Sequence, residues 1–160
     1  ESKFSSLRYD PENEWGLKNN NILSITSLSY GKMMWVANDY GLEQISSEGS
    51  REYDYSKLML GVNHINVVKN INDHILWVGS DRGILRINSN TDEIIRFNAE
   101  QDKDSKKQII DNLVNDIEIS VDGNIWFGTN SGLVVIDTTN LIARNLISDF
   151  KINCIKFEIR

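Results

Sequence analysis

Residues 74–84 read HILWVGSDRGI, and this stretch decides the fold because its pattern occurs three times. The other copies are KMMWVANDYGL at residues 32–42 and NIWFGTNSGL at residues 124–133. Successive copies are 42 and then 49 residues apart at two sets of positions, namely Trp35, Trp77 and Trp126, and Gly41, Gly83 and Gly132. The motif is therefore rigid, while the segments that link its copies vary in length.

The motif predicts two antiparallel strands joined by a tight turn. An apolar run around a Trp is typical of a buried strand, where aromatic and β-branched side chains pack well. Gly79, Gly128 and Ala37 leave room for another chain segment to approach closely. The polar residues that follow open a hairpin turn, and the last Gly of the motif supplies the positive φ that closes it.

Two further strands complete each copy. A first strand precedes the motif, at residues 22–25, 62–65 and 114–117, and a fourth follows it, at residues 51–55, 94–98 and 142–147. Residues 4–9 resemble the fourth strand of an earlier copy, and residues 152–155 resemble the first strand of a later one. The predicted blades are about 21–56, 62–98 and 113–148, with stray strands at 4–9 and 152–159. No stretch has helical periodicity.

Four antiparallel strands that repeat every ~40–50 residues indicate an all-β fold, the β-propeller. A β-sandwich also has many short strands, but it does not repeat one Trp–turn–Gly element at fixed offsets. A closed propeller needs about 4–8 blades. Because three blades cannot close a ring, and because both ends of the chain interrupt a strand pattern, we expect a propeller fragment cut from a longer protein.

Composition excludes several classes of function. The net charge is −6, the wrong sign for binding phosphates, so no nucleic-acid partner is predicted. The single cysteine, Cys154, cannot form an internal disulfide and fits best as a small buried residue. No apolar run approaches the ~18 residues of a membrane helix, so this segment is not expected to contact a membrane.

Three stretches resemble the two-component regulator propeller repeat. They are LWVGSDRGI at residues 76–84, GLKNNNILSI at residues 16–25 and DGNIWFGT at residues 122–129. The first copy departs from the repeat, with Ala37 in place of Gly and Met33-Met34 in place of an aliphatic pair. The resemblance covers the chain from about Phe4 to Ile159.

This resemblance implies a function as well as a fold. Proteins of this family use tandem propellers as extracytoplasmic sensors of hybrid two-component systems. An immunoglobulin-like domain, a membrane helix and cytoplasmic histidine kinase and receiver domains follow, and the usual signal is an oligosaccharide. The resemblance thus implies a periplasmic sensor segment that needs no cofactor and is not itself an enzyme. The motif residues are structural in the family, so it supplies no ligand-binding residue.

A ligand would meet the face that carries the hairpin turns, because the links between copies reach the same face. The candidate contact residues are Asp39, Tyr40, Asp81, Arg82 and Asn130. An aromatic ring stacks on a sugar, while carboxylate and guanidinium groups bond its hydroxyls or acids. The links at 56–61 and 98–112 lie on this face too. The competing interpretation is that these are solvated positions chosen for turn geometry.

Other candidate sites are weaker. His64, on a predicted first strand, and His74 are too isolated to indicate a metal site. Asp116 and Glu118 lie two apart on one strand and share a face, as paired carboxylates of a glycosidase could, but no aromatic cleft accompanies them. No phosphate-binding loop, Ser/His/Asp set or Cys/His set is present in the sequence.

Two other functions remain open, a protein-interaction scaffold and a glycan-cleaving propeller enzyme. Binding of glycans without turnover would favour a sensor, turnover an enzyme, and a stable protein partner a scaffold. The open first and last blades predict unpaired strand edges, which invite pairing with another chain. We therefore expect the fragment to self-associate edge to edge, most simply as a dimer.

Overall fold

The computed structural model describes residues 6–13, 16–27, 33–39, 41–46, 49–52, 64–72, 74–99 and 106–146. Within these ranges twelve strands form three four-stranded antiparallel sheets, and in each sheet the strand order follows the chain. The predicted all-β class is confirmed. None of the described residues belongs to a helix of the length and apolarity that crossing a membrane requires.

The first sheet contains β1 (Ile22–Ser27), β2 (Met33–Asn38), β3 (Gly41–Ser46) and β4 (Gly49–Glu52). The second contains β5 (Ile65–Asn70), β6 (Ile75–Ser80), β7 (Gly83–Asn88) and β8 (Glu93–Phe97). The third contains β9 (Val114–Ile119), β10 (Ile125–Thr129), β11 (Gly132–Asp137) and β12 (Ile142–Leu146). The predicted stray strand at 4–9 is described only from residue 6, and within residues 6–9 only Tyr9 forms a bridge, to Leu17. The predicted strand at 152–159, with Cys154, lies outside the described residues.

The first strands of the three sheets lie side by side. Val68 in β5 donates its backbone N–H to Ser24 Oγ in β1 at 3.1 Å. Asn66 in β5 donates its side-chain amide to the carbonyl of Val114 in β9 at 2.9 Å. The sheets therefore meet along their innermost strands, as blades around an axis do.

Each first strand carries a β-bulge at the same place, between its first and third residues. The bulge aligns Ile65 with Ile22 and Val114, so the first strand predicted at residues 62–65 is wrong by three residues. Residues 62–68 read VNHINVV and contain two overlapping apolar pairs. The structure uses the second pair, because it places Val68 opposite Val78, where both are buried. His64 consequently lies before β5 and is exposed, not on the strand.

Strand alternation directs Trp35 and Trp77 toward the following sheet, and both are buried there. The Trp77 ring lies 5.9 Å from that of Phe97 in its own sheet and 5.6 Å from that of Phe127 in the third sheet, measured between centroids. Trp126 was predicted to be buried, but it is only partly buried. It points away from the second sheet, and no described sheet lies beyond it.

The turn glycine of each motif and Gly79 of the second motif do what the sequence predicted of them. Gly41, Gly83 and Gly132 have φ angles of 137°, 112° and 131° and close the hairpin turns. A Cβ on Gly79 would lie 2.6 Å from Val114 Cγ1 in the third sheet. The missing side chain at this position therefore lets β9 approach β6.

Candidate functional site

The hairpin turns that end at Gly41, Gly83 and Gly132 lie on the same face of the molecule as the lead-in segments, which are residues 16–21, His64 and residues 109–113. Asp81 donates its backbone N–H to the carbonyl of His64 at 3.1 Å. Asn130 does the same to Leu113 at 3.3 Å. Because these bonds join the second and third turns to the starts of their own sheets, the structure brings Asp81, Arg82 and Asn130 to one face.

Three of the predicted contact residues occupy equivalent positions and already hold this face together. Asp39 accepts a hydrogen bond from the Asn21 side-chain amide at 2.7 Å, and Asp81 accepts one from the backbone N–H of His64 at 3.3 Å. Asn130 accepts one from the Asn115 side chain at 2.8 Å. Each bond fixes a turn against the start of its own sheet, so these three side chains have defined positions on this face.

The other two candidates differ from these three. Arg82 is exposed, and its guanidinium makes no hydrogen bond or ion pair with any described residue. Its backbone N–H donates to Ser80 Oγ at 3.1 Å, which fixes the turn but leaves the side chain exposed to solvent. Tyr40 lies outside the described residues.

A polar side chain at the end of each second strand braces the turn from within. Ser80 Oγ donates to the carbonyl of Gly83 at 2.9 Å, and Thr129 Oγ1 donates to that of Gly132 at 2.8 Å. Asn38 serves the first turn by accepting the N–H of Gly41 at 3.1 Å. These hydroxyl and amide groups compete well for backbone partners in turns, which explains the polar position after Gly or Ala in the motif.

The lead-in segments repeat a motif that the sequence analysis missed. Asn20 and Asn112 accept the N–H of Tyr9 and of Ala99, each at 2.7 Å. One residue earlier, Asn19 and Asp111 accept the N–H of the residue two positions on, at 2.6 and 3.0 Å. The signal was present as LKNNNI at 17–22 and IIDNLV at 109–114, in which an apolar residue, the Asn or Asp pair and the strand start recur at one offset.

Asp111 also bonds the hairpin turn of its own sheet. It accepts the N–H of Leu113, and the Ser131 hydroxyl donates to its other oxygen at 2.7 Å. These two hydrogen bonds, of which the one from Leu113 has the larger effect, lower the pKa of the Asp111 carboxyl below its usual value. Asp111 is therefore a charged acceptor at the place where Asn19 is a neutral one.

The first lead-in segment is held by a buried carboxylate. Glu43 in β3 is almost fully buried, where the second and third sheets have Leu85 and Val134. The backbone N–H of Lys18 lies 3.1 Å from both of its carboxylate oxygens, and the Asn38 side chain donates to it as well. A buried carboxylate needs such donors, so Glu43 fixes residues 16–18 over the first sheet.

The structure does not assemble the weaker candidate sites. Glu118 pairs with Lys69 at 3.2 Å, and both Glu118 and Asp116 are exposed. His64 lies at the face with the hairpin turns, whereas His74 lies at the other end of its sheet, beside Asn72. Among the described residues no three His, Cys, Asp or Glu side chains come close enough to hold a metal ion.

Comparisons with known proteins place the fold. No protein-family model matches the chain, and no curated protein sequence does either. One similar structure is the extracellular domain of a hybrid two-component system from B. thetaiotaomicron, with 25% identity and a TM-score of 0.71 over 88% of this chain and 18% of that one. A second such domain from the same organism has 18% identity and a TM-score of 0.62 over 86% of this chain and 18% of that one.

A third similar structure is the WD40 β-propeller domain of Doa1, with 12% identity and a TM-score of 0.61. The similarity covers 82% of this chain and 43% of that one. The chain spans only 18% of the length of the two sensor domains. The three sheets are therefore blades of a β-propeller, and the chain is similar over most of its length to extracellular domains of two-component systems.

Proposed function

We propose that the chain is part of the periplasmic, ligand-sensing propeller of a hybrid two-component system, which responds to an oligosaccharide and signals to a cytoplasmic histidine kinase. The observation that carries this proposal is the similarity to the extracellular domain of such a system, at 25% identity over 88% of the chain. The propeller fold by itself would not suffice, because the same fold serves many unrelated functions.

The face with the hairpin turns is the part of this segment that would meet the ligand. Asp39, Asp81 and Asn130 are held at equivalent positions on three neighbouring blades. An ionised carboxylate has about four acceptor sites, so a bond within the chain leaves others for sugar hydroxyls. Arg82 adds an exposed cation suited to an acidic or hydroxyl-rich sugar.

In this proposal the segment binds and does not catalyse, and it uses no cofactor. A sensor needs only to bind its ligand more tightly in one conformation than in the other, because that difference in affinity shifts the equilibrium between signalling states. The paired carboxylates Asp116 and Glu118 are consistent with this assignment, since Glu118 is engaged by Lys69 and both are exposed.

A glycan array probed with the 160-residue chain tests the proposal, followed by titration calorimetry with the oligosaccharides that bind. Arg82→Ala should weaken binding about tenfold, since a hydrogen bond to a charged group contributes about 1.5–3 kcal/mol. Arg144→Ala is the matched control, because Arg144 is also exposed but pairs with Val135 in the middle of the third sheet, away from the hairpin turns; it should bind normally. Consumption of the oligosaccharide would favour an enzyme, and a stable protein partner without glycan binding would favour a scaffold.

A further inference from the structure

The hairpin turn that carries Arg82 is bonded to the lead-in segment of the next sheet. Gly83, which closes this turn, donates its backbone N–H to the carbonyl of Asn112 at 2.7 Å. The side chain of Asn112 accepts the N–H of Ala99, just after β8, at 2.7 Å. Asn112 therefore holds the turn with its backbone and the end of the second sheet with its side chain.

The junction around Asn112 is closely packed. A Cβ on Gly83 would lie 2.2 Å from the carbonyl oxygen of Phe97 and 3.2 Å from Cα of Asn98. Ile109, buried between the second and third sheets, donates its N–H to the carbonyl of Asn98 at 3.2 Å. The turn, the end of β8 and the lead-in segment are thus in direct contact, so a shift of one displaces the others.

The residue before Asn112 holds the neighbouring turn. Asp111 accepts the hydroxyl of Ser131 at 2.7 Å and the N–H of Leu113 at 3.0 Å. The carbonyl of Leu113 accepts the N–H of Asn130 at 3.3 Å. Two adjacent residues of one segment therefore bond the hairpin turns of two different blades, which fixes the spacing between those turns.

We propose that Asn112 is a positioning residue that couples the second and third hairpin turns, so that Arg82 and Asn130 bind a ligand as one unit. The proposal rests on the proposed sensing function for the nature of that ligand, an oligosaccharide that contacts both turns at once. Such a ligand binds most tightly when the two blades lie at the spacing that suits it, because affinity and conformation are linked. The junction thus connects binding at the turns to the relative position of the second and third blades.

Amide order parameters from ¹⁵N relaxation of the 160-residue chain test the positioning without a ligand. In Asn112→Ala, the order parameters of the Arg82 and Gly83 amides should fall from about 0.85 to about 0.6 or below, because the carbonyl that accepts Gly83 loses its anchor at Ala99. Asn112→Asp keeps an acceptor oxygen and should restore rigidity. If the alanine variant does not fold, Asn112→Leu gives the same comparison, since it keeps the side-chain volume without the acceptor.

Asn115→Ala is the matched control for these order parameters. Asn115 also lies at the start of the third sheet, but it bonds the third turn through Asn130. Its removal should therefore leave the Arg82 and Gly83 amides rigid. Unchanged order parameters in Asn112→Ala, or the same loss in Asn115→Ala, would overturn the proposal.

A double-mutant cycle measured by titration calorimetry tests the coupling with the oligosaccharides that bind on the glycan array. Asn112→Ala should weaken binding about tenfold in the unchanged chain and have little effect in the Arg82→Ala chain, where no guanidinium is left to position. An equal loss in both chains would contradict positioning. If no oligosaccharide binds the unchanged chain, the proposed sensing function fails, and the order parameters alone decide the role of Asn112.

Discussion

The second and third sheets carry the same motif on the side that bears the motif Trp, which we call the trailing face, yet among the described residues only the second sheet has a neighbouring sheet there. Trp77 is fully buried and Gly79 is in contact with β9, whereas Trp126 is partly exposed and a Cβ on Gly128 would meet, among the described residues, only Asp116 at 3.8 Å. Strand pairing and turn geometry are the same in both sheets. The motif therefore specifies the hairpin, while the adjoining blade determines how much each motif residue contributes to stability.

The largest difference is expected between the two tryptophans. Trp77→Ala should lower the free energy of unfolding by about 3–5 kcal/mol, because it leaves a cavity between two sheets. Trp126→Ala should cost the monomer about 1–2 kcal/mol, since less apolar area is lost. Urea unfolding at low micromolar concentration measures both. Trp77→Phe should cost less than Trp77→Ala, as it keeps a ring and removes an indole N–H that has no acceptor in the structure; equal costs for the two alanine variants would contradict the comparison.

A substitution at a turn glycine inside the second sheet should lower the free energy of unfolding by nearly as much. Gly83→Ala places a Cβ 2.2 Å from the carbonyl oxygen of Phe97 at a φ of 112°, and we expect a loss of about 3 kcal/mol. Gly123 is a matched control with a φ of 83°, because its Cβ would meet only Thr138 Oγ1 at 3.9 Å. Gly123→Ala should cost about 1–2 kcal/mol, from backbone strain alone. Thermal unfolding of both variants measures these losses. If Gly83→Ala destabilised the chain no more than Gly123→Ala, the Phe97 carbonyl would have to move aside at little energetic cost.

The glycines on the two trailing faces isolate the effect of the neighbouring blade. Gly79→Ala should lose about 1–3 kcal/mol, because the new methyl overlaps Val114 and Val67. Gly128→Ala meets no described atom closer than 3.8 Å and should be neutral or stabilising by up to about 1 kcal/mol, since Gly weakens a strand. The midpoints of urea unfolding, measured at low protein concentration, compare the stabilities of the two variants. The same cost at both positions would mean that the neighbouring blade is not the cause.

The smallest effect concerns pH. The pKa of Asp111 is lowered in the folded chain, so the stability that it contributes is present above its unfolded value of about 3.9 and is lost as the pH falls through the folded value. Asp111→Asn keeps an acceptor for Leu113, as Asn19 does for Asn21, and should make urea stability between about pH 2 and 4 less dependent on pH. The pKa values of Asp122 and Asp137 are also lowered, so part of the pH dependence should remain.

Local pattern was sufficient to predict the hairpins but not every register. The Trp-to-Gly stretches gave three hairpins whose closing glycines have positive φ, because strand alternation and turn chemistry act over a few residues. The first strand of the second sheet was misplaced because VNHINVV fits two registers, and only burial of Val68 against the first sheet selects one. The Asn19-Asn20 and Asp111-Asn112 pairs were missed because they bond backbone N–H groups, which every residue except Pro has, and because two of these groups lie more than ten residues away.

The candidate site was predicted in position but not in detail. Strand order alone places Asp39, Asp81 and Asn130 on one face. That each of them bonds the start of its own sheet, whereas Arg82 is exposed to solvent, depends on distances between segments that are far apart in the chain. The sequence could not distinguish these two kinds of turn residue.

The sequence by itself determined the repeat, the four-stranded blade and the turns, because strand periodicity and the conformational freedom of glycine are local properties. Only the tertiary structure decided which copies of the motif are buried, and that Gly79 is covered by β9 while no described residue of another sheet lies over Gly128. Burial is a property of two surfaces in contact, so identical motifs acquire different energies according to what lies next to them.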